Sequence, residues 1–110
     1  MSNLRHIAKT QIVKFPEVRA LVVTDDAGSL LEVSGDIDGE ALGAVNAVTV
    51  QALARCGDVL GLGALQRATL TAVRHSSVIA VHEQEILGLQ IDPSSPLSAF
   101  EKKLDTAMRR

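Results

Sequence analysis

The stretch Gly39–Cys56, GEALGAVNAVTVQALARC, decides how this chain must fold. It reads as a helix with almost no polar face. At about 100° per residue, Ala41, Val45, Val48, Ala52 and Cys56 fall on one stripe, and Gly43, Ala47, Val50 and Ala54 fall nearly opposite. Glu40, Asn46, Gln51 and Arg55 are the main interruptions. A helix apolar nearly all round must be covered on two sides. A small one-layer domain covers one of them. A second copy of the chain, or another protein, must cover the other. The small-residue stripe Gly43, Ala47, Val50 and Ala54 is the expected contact with a second copy, because small side chains let two helices approach closely.

The flanks of this helix carry its end signals. Asp38 is a suitable N-cap, and Glu40 places negative charge near the positive helix end. Gly57 fits the C′ position, with Gly57–Gly63 as a flexible connection beyond it. Upstream, Val18–Thr24 reads as a buried strand and Leu30–Ser34 as its hairpin partner. Asp25-Asp26-Ala27-Gly28 between them is turn chemistry: short acidic side chains bond the local backbone and Gly supplies positive φ. Before Pro16 the pattern has two readings. Leu4, Ile7, Ala8 and Gln11–Ile12 fit a short amphipathic helix, and Thr10–Phe15 fits an extended segment.

Downstream, Leu65–Arg74 (LQRATLTAVR) is the longest strand candidate. His75-Ser76-Ser77 reads as a turn, Val78–His82 as a strand, Glu83-Gln84-Glu85 as a polar tip and Ile86–Ile91 as the fifth strand. After Asp92-Pro93-Ser94, Ser95 fits an N-cap with Pro96 at the first helical position. Leu97, Phe100, Leu104 and Met108 then form one apolar stripe, and Arg109 and Arg110 sit at the negative helix end. The middle of Leu65–Arg74 carries no charge and no proline. At a sheet edge it would offer unpaired backbone groups, which antiparallel pairing with its own copy satisfies. A two-fold dimer uses one patch twice. Thr69, Leu70, Thr71 and Ala72 are therefore expected at the interface.

The chain has 110 residues, the size of one domain. Hydrophobic residues make up 46% but aromatics only 2%, so Leu, Val, Ile and Ala must build the core. Few stacking platforms remain for bases. The formal net charge is −2 and no basic stripe is visible, which argues against nucleic acid and against a polybasic membrane patch. The single cysteine, Cys56, excludes a disulfide framework. No signal peptide is visible and no apolar run approaches the roughly 18 residues of a membrane span, so direct membrane insertion is not expected and a cytoplasmic setting is.

Patterns that carry chemistry fall short. Gly61–Gln66 (GLGALQ) follows a helix and opens a strand, whereas a phosphate loop follows a strand, opens a helix and needs Lys-Ser/Thr. His82-Glu83-Gln84-Glu85 lacks the second His of a zinc-protease helix, where Ile86 stands. Asp36 and Asp38 open no calcium loop, because the position for its closing Glu is Ala47. His6, His75 and His82 are scattered, and no nucleophile–base pair can be assembled. The expectation is a protein without an active site, cofactor or metal.

Five stretches in this order carry a resemblance: FPEVRALVVTDDAGSLLEVSG (Phe15–Gly35), the Ala-rich helix Ala41–Arg55, LQRATL (Leu65–Leu70), SSVIAVHEQEILGLQID (Ser76–Asp92) and the closing helix after Pro96. Together they resemble the Roadblock/dynein light chain family. The resemblance implies an α+β fold: a five-stranded antiparallel sheet in the order 2-1-5-4-3, one long helix on one face and terminal helices on the other. It implies that Leu65–Arg74 is an edge strand. It also implies homodimers that pair this strand and pack the long helices over one continuous sheet. Family members bind or regulate small Ras-like GTPases, or serve as adaptors in motor, motility or membrane-associated complexes. A regulator of this kind would position the GTPase's own catalytic groups. Arg55, Arg67 and Arg74 qualify as inserted arginines by charge alone.

Overall fold

Strand β1 (Val18–Asp25) is buried along most of its length because both of its faces are covered. Its neighbours are β2 (Leu30–Ser34) and β5 (Glu85–Ile91), and β4 (Ser76–His82) and β3 (Arg67–Thr71) follow beyond β5. The five strands form one sheet in the order β2-β1-β5-β4-β3, with every neighbouring pair antiparallel. This computed structural model describes residues 4–92 and 94–108, so the expectations for Pro93, Arg109 and Arg110 lie outside the described residues. The α+β architecture and strand order are those expected.

The main core lies on one face of the sheet. Leu21, Val23, Leu87 and Leu89 meet Phe100 and Leu104 of α3 (Leu97–Met108) there. Leu4, Ile7 and Ala8 of α1 (Leu4–Thr10) complete it, with Ile12 from a single 3₁₀ turn, Ile12–Lys14. The helical reading of the N-terminal segment is therefore the correct one. Leu97 and Met108 are half-buried at the rim, as the stripe on α3 requires.

The opposite face carries α2 (Gly39–Leu60), seated on a far smaller cluster of Ala47, Ile79 and Ile86. The Asp38 side chain accepts the N–H of Ala41, the cap expected. The helix does not stop at Gly57. It runs to Leu60 and ends on Gly61, which takes the left-handed φ of 69°. The Gly61 N–H donates to the Asp58 carbonyl and the Leu62 N–H to the Gly57 carbonyl. That paired pattern is a Schellman motif, and it satisfies two carbonyls that an end at Gly57 would have left to water.

Two strand boundaries also differ from expectation. β3 covers only Arg67–Thr71, because the Ala72 N–H donates to the His75 carbonyl and turns the chain back. The turn therefore occupies residues 72–75, and Ser76 and Ser77 belong to β4. Before α3, the Pro96 carbonyl accepts the first helical bond from the Phe100 N–H, so Pro96 stands at the cap and Leu97 opens the helix.

Candidate protein-interaction surface

The two stripes of α2 have opposite fates, and the small-residue stripe faces inward. Gly43 and Ala47 are buried against this chain's own sheet, and Val50 packs on the same cluster. A Cβ on Gly43 would come within 2.5 Å of Thr24 Cγ2, so the helix backbone rides directly on β1. Ala54, on the same stripe, is half-buried. The assignment of Gly43 and Ala47 to a contact with a second copy is thereby corrected: the monomer already covers them. Asn46 is buried beside them above Gly88, which has no room for a side chain because a Cβ there would lie 2.2 Å from Asn46 Nδ2.

The other stripe is bare. Ala41, Val45, Val48, Ala52, Cys56 and Val59 are all exposed, Val45 by 60%, Val48 by 68% and Val59 by 87%. Glu40, Gln51, Arg55 and Asp58 gather on one flank of the helix at its spacing of about 100° per residue. Leu53, Cys56 and Leu60 lie on the flank towards β3. With Leu62 and Ala68 they line an open groove of about 630 Å³ between the end of α2 and the start of β3. An apolar surface this continuous is unusual for a monomer.

β3 is the last strand of the sheet, and among the described residues no strand pairs with its outer side. Arg67, Thr69 and Thr71 face α3: Arg67 bonds Asp105, and the Thr69 hydroxyl donates to Glu101 Oε1 at 3.1 Å. Ala68 and Leu70 face the α2 side, since Ala68 pairs with Ile79 of the α2 cluster. Leu70 is 58% exposed there. Thr69 and Thr71 are exposed as well, whereas Ala72 has left the strand for the turn.

Several polar residues elsewhere serve the fold. Asp25 Oδ1 accepts the N–H groups of Ala27 and Ser29, and so builds the first hairpin turn. Lys103 donates to Glu17, and this bond holds the Glu17 carboxyl below its usual range against the upward push of burial. Asp92 is lowered by the Ser94 backbone N–H and hydroxyl first, and by Arg19 after them. Of the three arginines singled out by charge, Arg67 is tied to Asp105, while Arg55 and Arg74 are exposed. Among the described residues, no three His, Cys, Asp or Glu side chains converge on a metal position, and no helix is long and apolar enough to cross a membrane.

No family model and no curated protein gives a significant match to the sequence. Solved structures match it closely in shape. A Roadblock/LC7 domain from Streptomyces avermitilis superposes with a TM-score of 0.82 at 11% identity, over 98% of this chain and 93% of that one. Myxococcus xanthus MglB gives 0.79 at 16% identity, over 94% and 84%. Schizosaccharomyces pombe profilin gives 0.68 at 9% identity, over 98% and 94%. With its 2-1-5-4-3 sheet, its long helix on one face and its terminal helices on the other, the chain has the roadblock fold.

Proposed function

We propose that this protein is a non-enzymatic, homodimeric regulator or scaffold of a small Ras-like GTPase, working in the cytoplasm. One observation carries the reading: the bare apolar flank of α2 and the free edge of β3 border the same groove. A second copy placed at that edge pairs the strand and covers the flank in one step. The outermost row of α2, Ala41, Val45, Val48 and Ala52, points away from the sheet and stays open for a different partner. A Ras-like GTPase is the partner class implied by the resemblance to the Roadblock/dynein light chain family, and the shared fold supports it. Such a dimer acts by positioning groups on the GTPase.

The test has two arms. Sedimentation should report a species of twice the 11.6 kDa chain mass. The GTP hydrolysis rate of a purified Ras-like GTPase from the same organism should change when the dimer is added. Binding without a change in rate would identify a pure adaptor. A monomer with no bound GTPase would overturn the proposal.

A further inference from the structure

The backbone of β3 fixes how two copies can meet, and it singles out one register. In an antiparallel ladder, successive residues point their N–H and C=O alternately to one neighbour and to the other. The Val81 N–H donates to the Gln66 carbonyl at 2.9 Å, and the Ala72 N–H donates to the His75 carbonyl at 3.1 Å. Both pairs continue the register in which Arg67 lies opposite Ala80 and Leu70 opposite Ser77. Gln66, Ala68, Leu70 and Ala72 therefore direct their backbone groups to β4. Arg67, Thr69 and Thr71 direct theirs outward, to the empty edge.

Symmetry narrows the choice further. A two-fold axis perpendicular to the sheet keeps the α2 side on the α2 side in both copies. Residues opposite each other must then face the same way, so odd positions meet odd positions and even meet even. Three registers remain near the strand centre, with Ala68, Thr69 or Leu70 on the axis. Placing Thr69 on the axis pairs Thr69 with its own copy and Arg67 with the copy's Thr71. Every outward N–H and C=O of β3 then has a partner. Moving the axis to Ala68 or Leu70 leaves one outward residue facing chain beyond the strand's end.

The side chains agree with this register. On the α2 side it sets the large Leu70 of one copy opposite the small Ala68 of the other. Ala68 lines the groove beside Leu53, Cys56 and Leu60. The geometry points to a dimer with Thr69 on the two-fold axis, in which each copy's Leu70 enters the groove of the other over Ala68. This rests on the homodimer proposed above, and it supplies the residue that completes each groove.

Single cysteines test it in a Cys56→Ser background. In the inferred register the two Thr69 Cα atoms lie about 5.5 Å apart, within the range of about 4.4–6.8 Å that a disulfide spans. The two copies of residue 68, or of residue 70, are diagonal neighbours about 7–8 Å apart. Under oxidised glutathione, Thr69→Cys should give the covalent dimer, and Ala68→Cys and Leu70→Cys should not. Preferential cross-linking at 68 or 70 overturns the register. No cross-link at any of the three, with sedimentation still reporting a dimer, overturns the β3 pairing but leaves the dimer standing. A monomer in sedimentation before any oxidation removes the underlying reading as well. Leu70 is exposed, so Leu70→Ala leaves the fold intact. It should weaken dimerisation at least tenfold, and an unchanged dimer constant overturns the seat over Ala68.

Discussion

Gly43 of α2 sits so close to Thr24 of β1 that a Cβ on the glycine would lie 2.5 Å from Thr24 Cγ2. This contact sets the height of the helix above the sheet. It also explains why a 22-residue helix can dock through a cluster as small as Ala47, Ile79 and Ile86. Gly43→Ala gains about 1 kcal/mol of helix propensity but must push the helix outward, a strain of about 1–3 kcal/mol. A net loss of stability is expected in urea unfolding, with the fold retained. An unchanged midpoint would show that the helix rises freely.

The buried stripe of α2 and its flank towards β3 predict opposite phenotypes for the same substitution. Ala47→Glu forces a carboxylate beneath the helix, where an unpaired charge costs on the order of 3–5 kcal/mol. It should unfold or expand the protein, visible as lost near-native circular dichroism and a broad melt. Leu53→Glu lies at the exposed rim of the groove. It should keep the native spectrum and sediment as a monomer. Dissociation by Ala47→Glu with the spectrum unchanged would restore the small-residue stripe as the contact face.

Why the stripes were legible but their destinations were not is a question of distance. Helical spacing separates Gly43, Ala47, Val50 and Ala54 from Ala41, Val45, Val48 and Ala52 on sequence alone. It does not say which row meets the sheet. That choice depends on how near the sheet comes, which Gly88 beneath Asn46 and Thr24 beneath Gly43 decide from distant parts of the chain. The other boundaries failed for similar reasons. LQRATLTAVR keeps strand-forming residues past Thr71, but the hydrogen bond from Ala72 to His75 takes the chain back to β4. Gly57 and Gly61 both fit a helix stop, and the Schellman pair at Gly61 wins. The strand order needed the resemblance, and the stripe of Leu97, Phe100, Leu104 and Met108 needed only its spacing.

The tie between α3 and the start of β1 gives stability a pH dependence. Lys103 Nζ lies 2.7 Å from Glu17 Oε1 and 2.6 Å from Oε2, and 5.1 Å from the centre of the Phe15 ring. The bond holds the Glu17 carboxyl below its ordinary range in the folded chain. A depressed carboxyl contributes stability above its unfolded pKa and loses it as pH falls through the folded one. Lys103→Met should therefore cost about 0.5–1 kcal/mol near neutral pH, the range of partly exposed ion pairs. The gap from the parent protein should narrow as pH falls below about 5. The contact with Phe15 carries no acid titration, so any gap left at low pH belongs to it. Melting curves between pH 3 and 7 measure both parts, and a gap that widens in acid would contradict the assignment to Glu17.

The outermost row of α2 separates self-association from partner binding. Val48 is 68% exposed and does not line the groove beside β3. In the proposed dimer a glutamate at this position meets water as it does in the single chain, so Val48→Glu should leave the sedimentation coefficient and melting temperature unchanged. It also places a charge in the middle of the apolar row proposed to receive a GTPase. A charge at a hot spot in the centre of an interface costs about 2 kcal/mol or more of binding, roughly a 30-fold loss. Leu53→Glu should lose GTPase binding too, but only together with the dimer. Calorimetry with the GTPase, beside sedimentation of both variants, distinguishes the two effects. Full binding by Val48→Glu would move the partner site off α2, leaving the β3 dimer and its groove unaffected.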